Sequence, residues 1–220
     1  MDYIIFDMEF TVLRKHMYLA DILEIGAIKL SDKDGPLRMV DLFHSHVRPS
    51  NQRKLTPLTT TFTGINQEQA DNAPAFNQVI HDWTQWLGTT PYYMCSWGPD
   101  DKFQLIKHCN LNQLDLSWLQ NYNDFQLQFT RLQDGDIGQR IGLRKALEIM
   151  GIAFFGQQHN ALDDAFNTAK LFTRIFPHLS FEENNAAQDQ LHTSKLVYST
   201  GTNINLPFSQ LAKLIAGAVL

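Results

Sequence analysis

The chain opens with an apolar segment that carries two acidic residues two positions apart. This segment, residues 3–10, is rich in residues that favour β-strands, and side chains on a strand alternate between its two faces. We therefore expect Asp7 and Glu9 to point to the same side. Two neighbouring carboxylates near a core repel each other and lose hydration, and a bound divalent cation would offset that cost. The alternative is an exposed edge strand with solvated acids, although acidic residues are depleted in strands.

The remainder of the chain alternates between strand and helix patterns. Polar residues at 31–36 indicate the turn of a hairpin, so the chain is expected to open with a three-stranded antiparallel meander. Further strands are predicted at 21–30, 40–47, 91–96 and 114–119, and helices at 75–87, 101–108, 141–150 and 161–176. This alternation predicts an α/β fold with a mixed sheet, antiparallel at first and parallel later, flanked by helices.

Composition limits the domain organisation and the class of partner. A chain of 220 residues that is 44% hydrophobic can bury one core, and we expect a domain at 1–180 with a C-terminal extension at 181–220. The extension reads as a polar loop, 181–207, followed by an amphipathic helix, 208–219. A net charge of −5 argues against a broad basic face for duplex nucleic acid.

The same composition suggests a location. The chain has two cysteines, no recognisable signal peptide before the first strand, and no apolar run near the roughly 20 residues that span a bilayer. We therefore expect a cytoplasmic, reduced protein with no membrane partner.

A polar cluster introduces the strongest helix pattern of the chain. His159 lies about one turn before the predicted helix, and Asp163 and Asp164 flank its apolar stripe. The stripe comprises Leu162, Ala165, Phe166, Ala169, Phe172 and Phe176. At the rim of the helix, Asp164 can face the acids of the first strand, with His159 near the same cleft. The alternative is a surface or capping histidine beside two acids that interact with the helix dipole.

Another pair of adjacent acids, Asp100 and Asp101, opens a predicted helix. Neighbouring helical residues diverge by about 100°, so only one of the two can point at a shared site. The spacing from Gly98 favours Asp101.

Three segments in order resemble the motifs of the DEDDh group of 3′-5′ exonucleases, which have a ribonuclease-H-like fold. They are residues 5–11, 98–101 and 159–165, and the connecting segments 22–30, 47–49, 63–65 and 71–74 also resemble this group. The resemblance covers about residues 3–176 and is greatest to the branch of enhanced-RNA-interference nucleases and KapD-type proteins. The extension beyond residue 180 lies outside it, and Phe62 stands where the family often has Leu.

The resemblance implies a metal-dependent exonuclease that releases nucleoside 5′-monophosphates by a two-metal-ion mechanism. Metal ligands would be Asp7, Glu9, Asp101 and Asp164, and His159 would be the general base. The cofactors would be two divalent cations, Mg²⁺ or Mn²⁺, because these ions prefer oxygen ligands and the sequence has no zinc-type Cys/His cluster.

The substrate would be the 3′ end of a single strand, with RNA favoured over DNA. An acidic protein gains little from long-range phosphate attraction, which favours a flexible end over a duplex face. Candidate substrate-binding residues are Met8, Phe10, Thr11, Phe62, Gly64 and Ile65. No protein partner can be named from the sequence.

Two other functions stay open at this point. One is a DNA-directed exonuclease of the proofreading type, acting beside a polymerase. The other is a non-catalytic nucleic-acid-binding or regulatory protein of the same fold. All five catalytic positions are filled, and folding alone gives no reason for five polar groups to converge, which favours an active enzyme.

Overall fold

The computed structural model of the protein describes residues 1–12 and 19–185, and its centre is a five-stranded sheet. The strands are β1 (Asp2–Phe10), β2 (Ile22–Ser31), β3 (Arg38–His46), β4 (Tyr92–Ser96) and β5 (Tyr122–Asp124), in the spatial order β3-β2-β1-β4-β5. β1, β2 and β3 pair antiparallel, whereas β4 and β5 continue the sheet parallel to β1. The predicted mixed α/β sheet is confirmed.

Seven α-helices flank this sheet in the described residues. They are α1 (Pro57–Thr63), α2 (Gln67–Asn72), α3 (Phe76–Leu87), α4 (Asp100–Leu111), α5 (Phe125–Leu132), α6 (Leu143–Ile149) and α7 (Ala161–Ile175), and a 3₁₀ turn, Phe176–His178, follows α7. The four predicted helices correspond to α3, α4, α6 and α7. The short helices α1, α2 and α5 were not predicted.

The strand predicted at 114–119 is wrong. That segment is a loop with a turn at 117–118, and the edge strand β5 begins only at Tyr122. Leu116 and Leu119 are nevertheless buried in the same core as the sheet, which explains the misleading apolar pattern. Apolar periodicity reports burial, and here a loop buries its side chains without strand pairing.

The side-chain alternation of β1 divides the core into two layers. Ile4, Phe6 and Met8 pack on one face of the sheet, against α3 and α4. Tyr3 and Ile5 pack on the other face, against α5, α6 and α7. Asp7 and Glu9 share the odd-numbered face, so both carboxylates point toward α7.

The beginning of α7 lies directly on β2. A Cβ atom at Gly26 would fall 2.3 Å from the carbonyl carbon of Ala161, so no other residue fits at this strand position without moving the helix. Because Gly26 pairs with Asp7, this close approach brings the first turn of α7 beside the acids of β1.

Residues 181–185 lie along β5. The Asn184 side chain accepts from the Tyr122 N–H and donates to the Tyr122 carbonyl oxygen, and Phe181 packs against Tyr3 and Tyr93. The division of the chain at residue 180 stays a prediction, and the helix predicted at 208–219 lies outside the described residues. No helix within the described part of the chain has the length and apolar character to cross a membrane.

Candidate active site

Four acidic side chains and one histidine converge where β1 meets the first turns of α4 and α7. A carboxylate oxygen of Glu9, another of Asp164 and a ring nitrogen of His159 all lie within 4.8 Å of one another. Asp101 joins them because its Oδ1 accepts a hydrogen bond from the backbone N–H of Met8, at 3.2 Å. Asp7 lies close enough to Asp101, Asp164 and Glu9 for their charges to raise its pKa, so the structure brings together all five residues that the sequence motifs singled out.

A tight loop after β4 orients the Asp101 side chain toward β1. Gly98 has a φ of 103°, in the region that favours glycine, and its carbonyl oxygen accepts from the hydroxyls of Ser96 and Tyr122. α4 begins two residues later, so Asp101 lies in its first turn and is 6% exposed. Asp100 is an exposed residue, although partial burial of its carboxyl group raises its pKa against the opposing charge of Arg140. The geometry therefore distinguishes the two adjacent acids as the sequence spacing predicted.

Hydrogen bonds at the beginning of α7 separate the roles of its two acids. Asn160 caps the helix, its side chain accepting from the N–H of Asp163 at 3.0 Å. Asp163 accepts from the N–H of Gln157 and so turns toward the preceding loop. Asp164 instead accepts from the N–H of His159 at 2.9 Å and faces the site.

His159 lies closer to the helix than the sequence analysis expected. It precedes the capping residue directly, rather than by about one turn, and its φ of 62° is unusual for a residue other than glycine. This backbone conformation lets its N–H bind Asp164 while the ring turns toward Glu9. Burial lowers the pKa of the His159 imidazole.

Burial and mutual repulsion raise the pKa values of all four acids. For Asp7, Glu9 and Asp101, loss of hydration is the largest cause, and the neighbouring carboxylates add to it. Burial raises the pKa of Asp164 to about 7, against the stabilising hydrogen bond from His159. A set of crowded carboxylate oxygens with this repulsion fits hard divalent cations, whose charge would offset the cost of ionising the group.

The candidate substrate-binding residues differ in whether their side chains are accessible to a substrate. The side chains of Met8 and Ile65 are each 3% exposed and pack in hydrophobic clusters, so any contact they make runs through their backbone. The Thr11 hydroxyl accepts from the N–H of Asp21. Phe10 is half-buried at the end of β1.

The end of α1 closes one side of the site. The Phe62 ring stacks on the His159 ring with centroids 3.9 Å apart and an interplanar angle of 31°. Gly64, which ends α1 with a φ of 76°, lies against Gln157, where a Cβ atom would come within 2.8 Å of the side-chain nitrogen. The loop before α7 is thus held against α1.

Glu24 is a further residue of the site, and no sequence motif singled it out. Its side chain is fully buried, and its two carboxylate oxygens accept from the Asn160 side chain and the Ala161 N–H, each at 3.0 Å. Glu24 therefore fixes the beginning of α7, and its charge also contributes to the raised pKa values of Asp7 and Glu9. The available signal was a lone acid in strand 22–30, whose other residues are all apolar or Gly except Lys29.

Comparison with known proteins identifies the family of this chain. The model of the RNase T family, described as exonuclease, matches residues 4–172. The probable 3′-5′ exonuclease KapD of Bacillus subtilis (strain 168) is 30% identical over 178 residues, which are 78% of this chain and 83% of KapD. The ERI1 exoribonuclease 2 of Danio rerio is 31% identical over 199 residues, but the match spans only 34% of that relative.

A solved structure shows the same fold. The nuclease domain of 3′hExo, described as a DEDDh family member bound to rAMP, superposes with a TM-score of 0.74 at 24% sequence identity. The superposition covers 83% of this chain and 96% of that domain. The five-stranded mixed sheet with its flanking helices is therefore the ribonuclease-H-like fold of that domain.

Proposed function

This chain belongs to the RNase T exonuclease family and is a 3′-5′ exonuclease of the DEDDh type, and we propose that it digests single-stranded RNA or short oligonucleotides to nucleoside 5′-monophosphates. The observation that carries this proposal is the convergence of three strand and helix ends on one group of four acids and a histidine. Such a group costs stability, because loss of hydration and neighbouring like charges raise the pKa of each acid, and its presence therefore indicates a function.

DEDDh exonucleases use divalent metals, and we propose that two Mg²⁺ or Mn²⁺ ions bind here, with Asp7, Glu9, Asp101 and Asp164 as their ligands. The donors are all carboxylate oxygens, which suit these ions. When bound, a pair of such cations stabilises charge on both the attacking and the departing oxygen of the phosphodiester. The raised pKa values of the four acids support this assignment, since they mark a site that lacks positive charge.

His159 acts in this proposal as the general base. Its ring lies at the edge of the acid group, and burial lowers its pKa, so the imidazole is a free base at neutral pH. A ring nitrogen can then take the proton of the attacking water. The stacked Phe62 ring and the hydrogen bond to Asp164 fix the orientation of the residue.

The proposed preference of this chain for RNA is based on the names of related proteins. The Danio rerio relative is named an exoribonuclease, and the structure of 3′hExo contains rAMP, a ribonucleotide. The acidic character of the chain favours a flexible strand end over a duplex. In this proposal the ends of β1 and α1 hold the terminal nucleotide, through Phe10, Phe62 and the backbone at Gly64.

One assay tests the proposed substrate. Purified protein with Mg²⁺ is given single strands of RNA and DNA of the same sequence, labelled at either end, together with a blunt duplex and a circular single strand. We expect 5′-labelled RNA to shorten as a ladder from its 3′ end, and 3′-labelled RNA to release labelled mononucleotide at once. The duplex should stall the enzyme.

Other results would contradict the proposal in distinct ways. Faster digestion of DNA than of RNA would favour the proofreading type, and binding without cleavage would favour a regulatory protein. Cuts within the circular strand would indicate an endonuclease.

A cytoplasmic location also stays a prediction.

Separate Asn substitutions at Asp100 and Asp101 test the second motif. We expect Asp101→Asn to abolish metal-dependent hydrolysis, because its carboxylate is buried and bound to the Met8 N–H at the acid group. Asp100→Asn serves as the matched control and should keep most of its activity, since Asp100 is an exposed residue. Initial rates with Mg²⁺ measure both. An inactive Asp100→Asn beside an active Asp101→Asn would reverse the assignment.

A further inference from the structure

A second group of potential metal ligands lies on the same face of the sheet as the acids, but two strands away. His44 and His46 are two residues apart on β3, so both side chains point to the same face of the sheet, the one covered by α7. In the antiparallel register His46 is opposite Glu24 and His44 is opposite Gly26. Glu9 is opposite Glu24 on the other side of β2. Glu24 therefore stands between the acid group and the two histidines.

The donor atoms of Glu24, His44 and His46 converge. Glu24 Oε1 lies 2.6 Å from His44 Nε2 and 3.8 Å from His46 Nε2, and one ligand atom from each residue lies within 4.8 Å of the other two. Ligands arranged tetrahedrally at about 2.1 Å from an ion are separated by about 3.4 Å. A small rotation of the His44 ring would open its hydrogen bond to this distance.

The surroundings suit a bound ion with one open position. Glu24 is fully buried, whereas the side chains of His44 and His46 are 34% and 27% exposed. An ion could thus enter from solvent past the histidines. A water molecule could complete its coordination, as in zinc sites with three protein ligands.

The charge of Glu24 and the hydrogen bonds that its carboxylate accepts also favour a bound cation. The negative charge of Glu24 is buried next to the acid group, and its hydrogen-bond donors at α7 are the neutral Asn160 amide and Ala161 N–H. These donors orient the carboxylate, as contacts behind metal ligands commonly do.

We propose that Glu24, His44 and His46 form an accessory site for one transition-metal ion of the Zn²⁺ class. Two imidazole nitrogens with one carboxylate favour such an ion over Mg²⁺, which prefers oxygen ligands alone. The two histidines distinguish this site from the acid group, because they lie on β3, whereas Glu24 on β2 is close enough to Asp7 and Glu9 for its charge to raise their pKa values. It would tie the edge strand β3, through Glu24, to the beginning of α7.

Metal titration of the whole chain tests this site. Co²⁺ serves as a spectroscopic probe and Zn²⁺ as its competitor, with excess Mg²⁺ present to occupy sites built from oxygen ligands. The starting protein carries His159→Ala and Asp164→Asn, because Glu9, His159 and Asp164 form another group of donors. We expect one equivalent of Co²⁺ to give visible absorption typical of four or five ligands, and Zn²⁺ to displace it.

Histidine variants in that same protein locate the ion. His44→Gln and His46→Gln should each weaken Zn²⁺ binding at least tenfold, whereas His81→Gln, at an exposed histidine of α3, should leave it unchanged. The unfolding temperature of each variant is also measured in EDTA, because His44→Gln changes the contact of His44 with the buried Glu24, and this measurement separates a loss of stability from a loss of Zn²⁺ binding.

Either of two results would overturn the proposal. One is Zn²⁺ binding that both histidine variants leave unchanged. The other is the absence of stoichiometric binding in the starting protein. Neither result bears on the exonuclease assay with Mg²⁺, so failure of this site and failure of the proposed function are distinguishable.

Discussion

Asp7→Asn is expected to abolish exonuclease activity while the protein stays folded. Asp7 lies on β1 facing the other acids, and its pKa is raised first by burial and then by the carboxylates of Asp101, Asp164 and Glu9. An amide at this position keeps the size of the side chain but removes the charge that a divalent cation needs. We expect the rate with Mg²⁺ or Mn²⁺ to fall to background, and EDTA to have the same effect on the wild type.

The same substitution should stabilise the metal-free protein at neutral and higher pH. The folded-state pKa values of Asp7, Glu9, Asp101 and Asp164 are raised, so the folded protein binds protons more tightly than the unfolded chain. Protonation of these acids stabilises the folded protein fully below about pH 4. This stabilisation is lost as the pH rises through the folded-state pKa values of the acids, and that of Asp164 is about 7.

Thermal unfolding in EDTA between pH 4 and pH 8 measures this effect. Wild-type stability should decline across that range, and Asp7→Asn should decline less, with a gain at pH 8 of at least about 1 kcal/mol. Mg²⁺ should restore the wild type more than the variant. Substantial metal-dependent turnover by purified Asp7→Asn would refute the role of Asp7 as a metal ligand.

The parts of the site that the sequence predicted are those that local patterns determine. The alternation along residues 3–10 placed Asp7 and Glu9 on one face, and the apolar stripe of α7 placed Asp164 at its rim. The spacing from Gly98 separated Asp101 from Asp100. Each of these inferences needs only the geometry of one element and the requirement that apolar side chains be buried.

The parts that the sequence did not predict depend on contacts between distant segments. Glu24 meets Asn160 across more than a hundred residues of chain, and Phe62 stacks on His159 across almost as many. Neither contact leaves a periodic signal in either segment. The same cause explains the wrong strand at 114–119, where burial by tertiary packing imitated the pattern of a strand.

His159→Ala is expected to slow the reaction by about 10² to 10⁴ while metal affinity changes little, since a general base typically contributes that range. His81→Ala, at an exposed histidine of α3, is the matched control and should keep wild-type rates. Burial lowers the pKa of His159, so the wild-type rate should rise with pH along a limb below the ordinary value near 6.5. His159→Ala should lose that limb.

Metal affinity decides between the two roles that the geometry allows His159. Its ring nitrogen lies within 4.8 Å of carboxylate oxygens of Glu9 and Asp164, close enough for it to be a third ligand rather than a base. Loss of a metal ligand weakens binding of the cation. Loss of a general base leaves cation binding intact, because the base contacts only the attacking water. Titration of Mn²⁺ into His159→Ala and Asp7→Asn measures the difference. Equal weakening in the two variants would make His159 a ligand, whereas an intact Mn²⁺ affinity with a slow rate would establish it as the base.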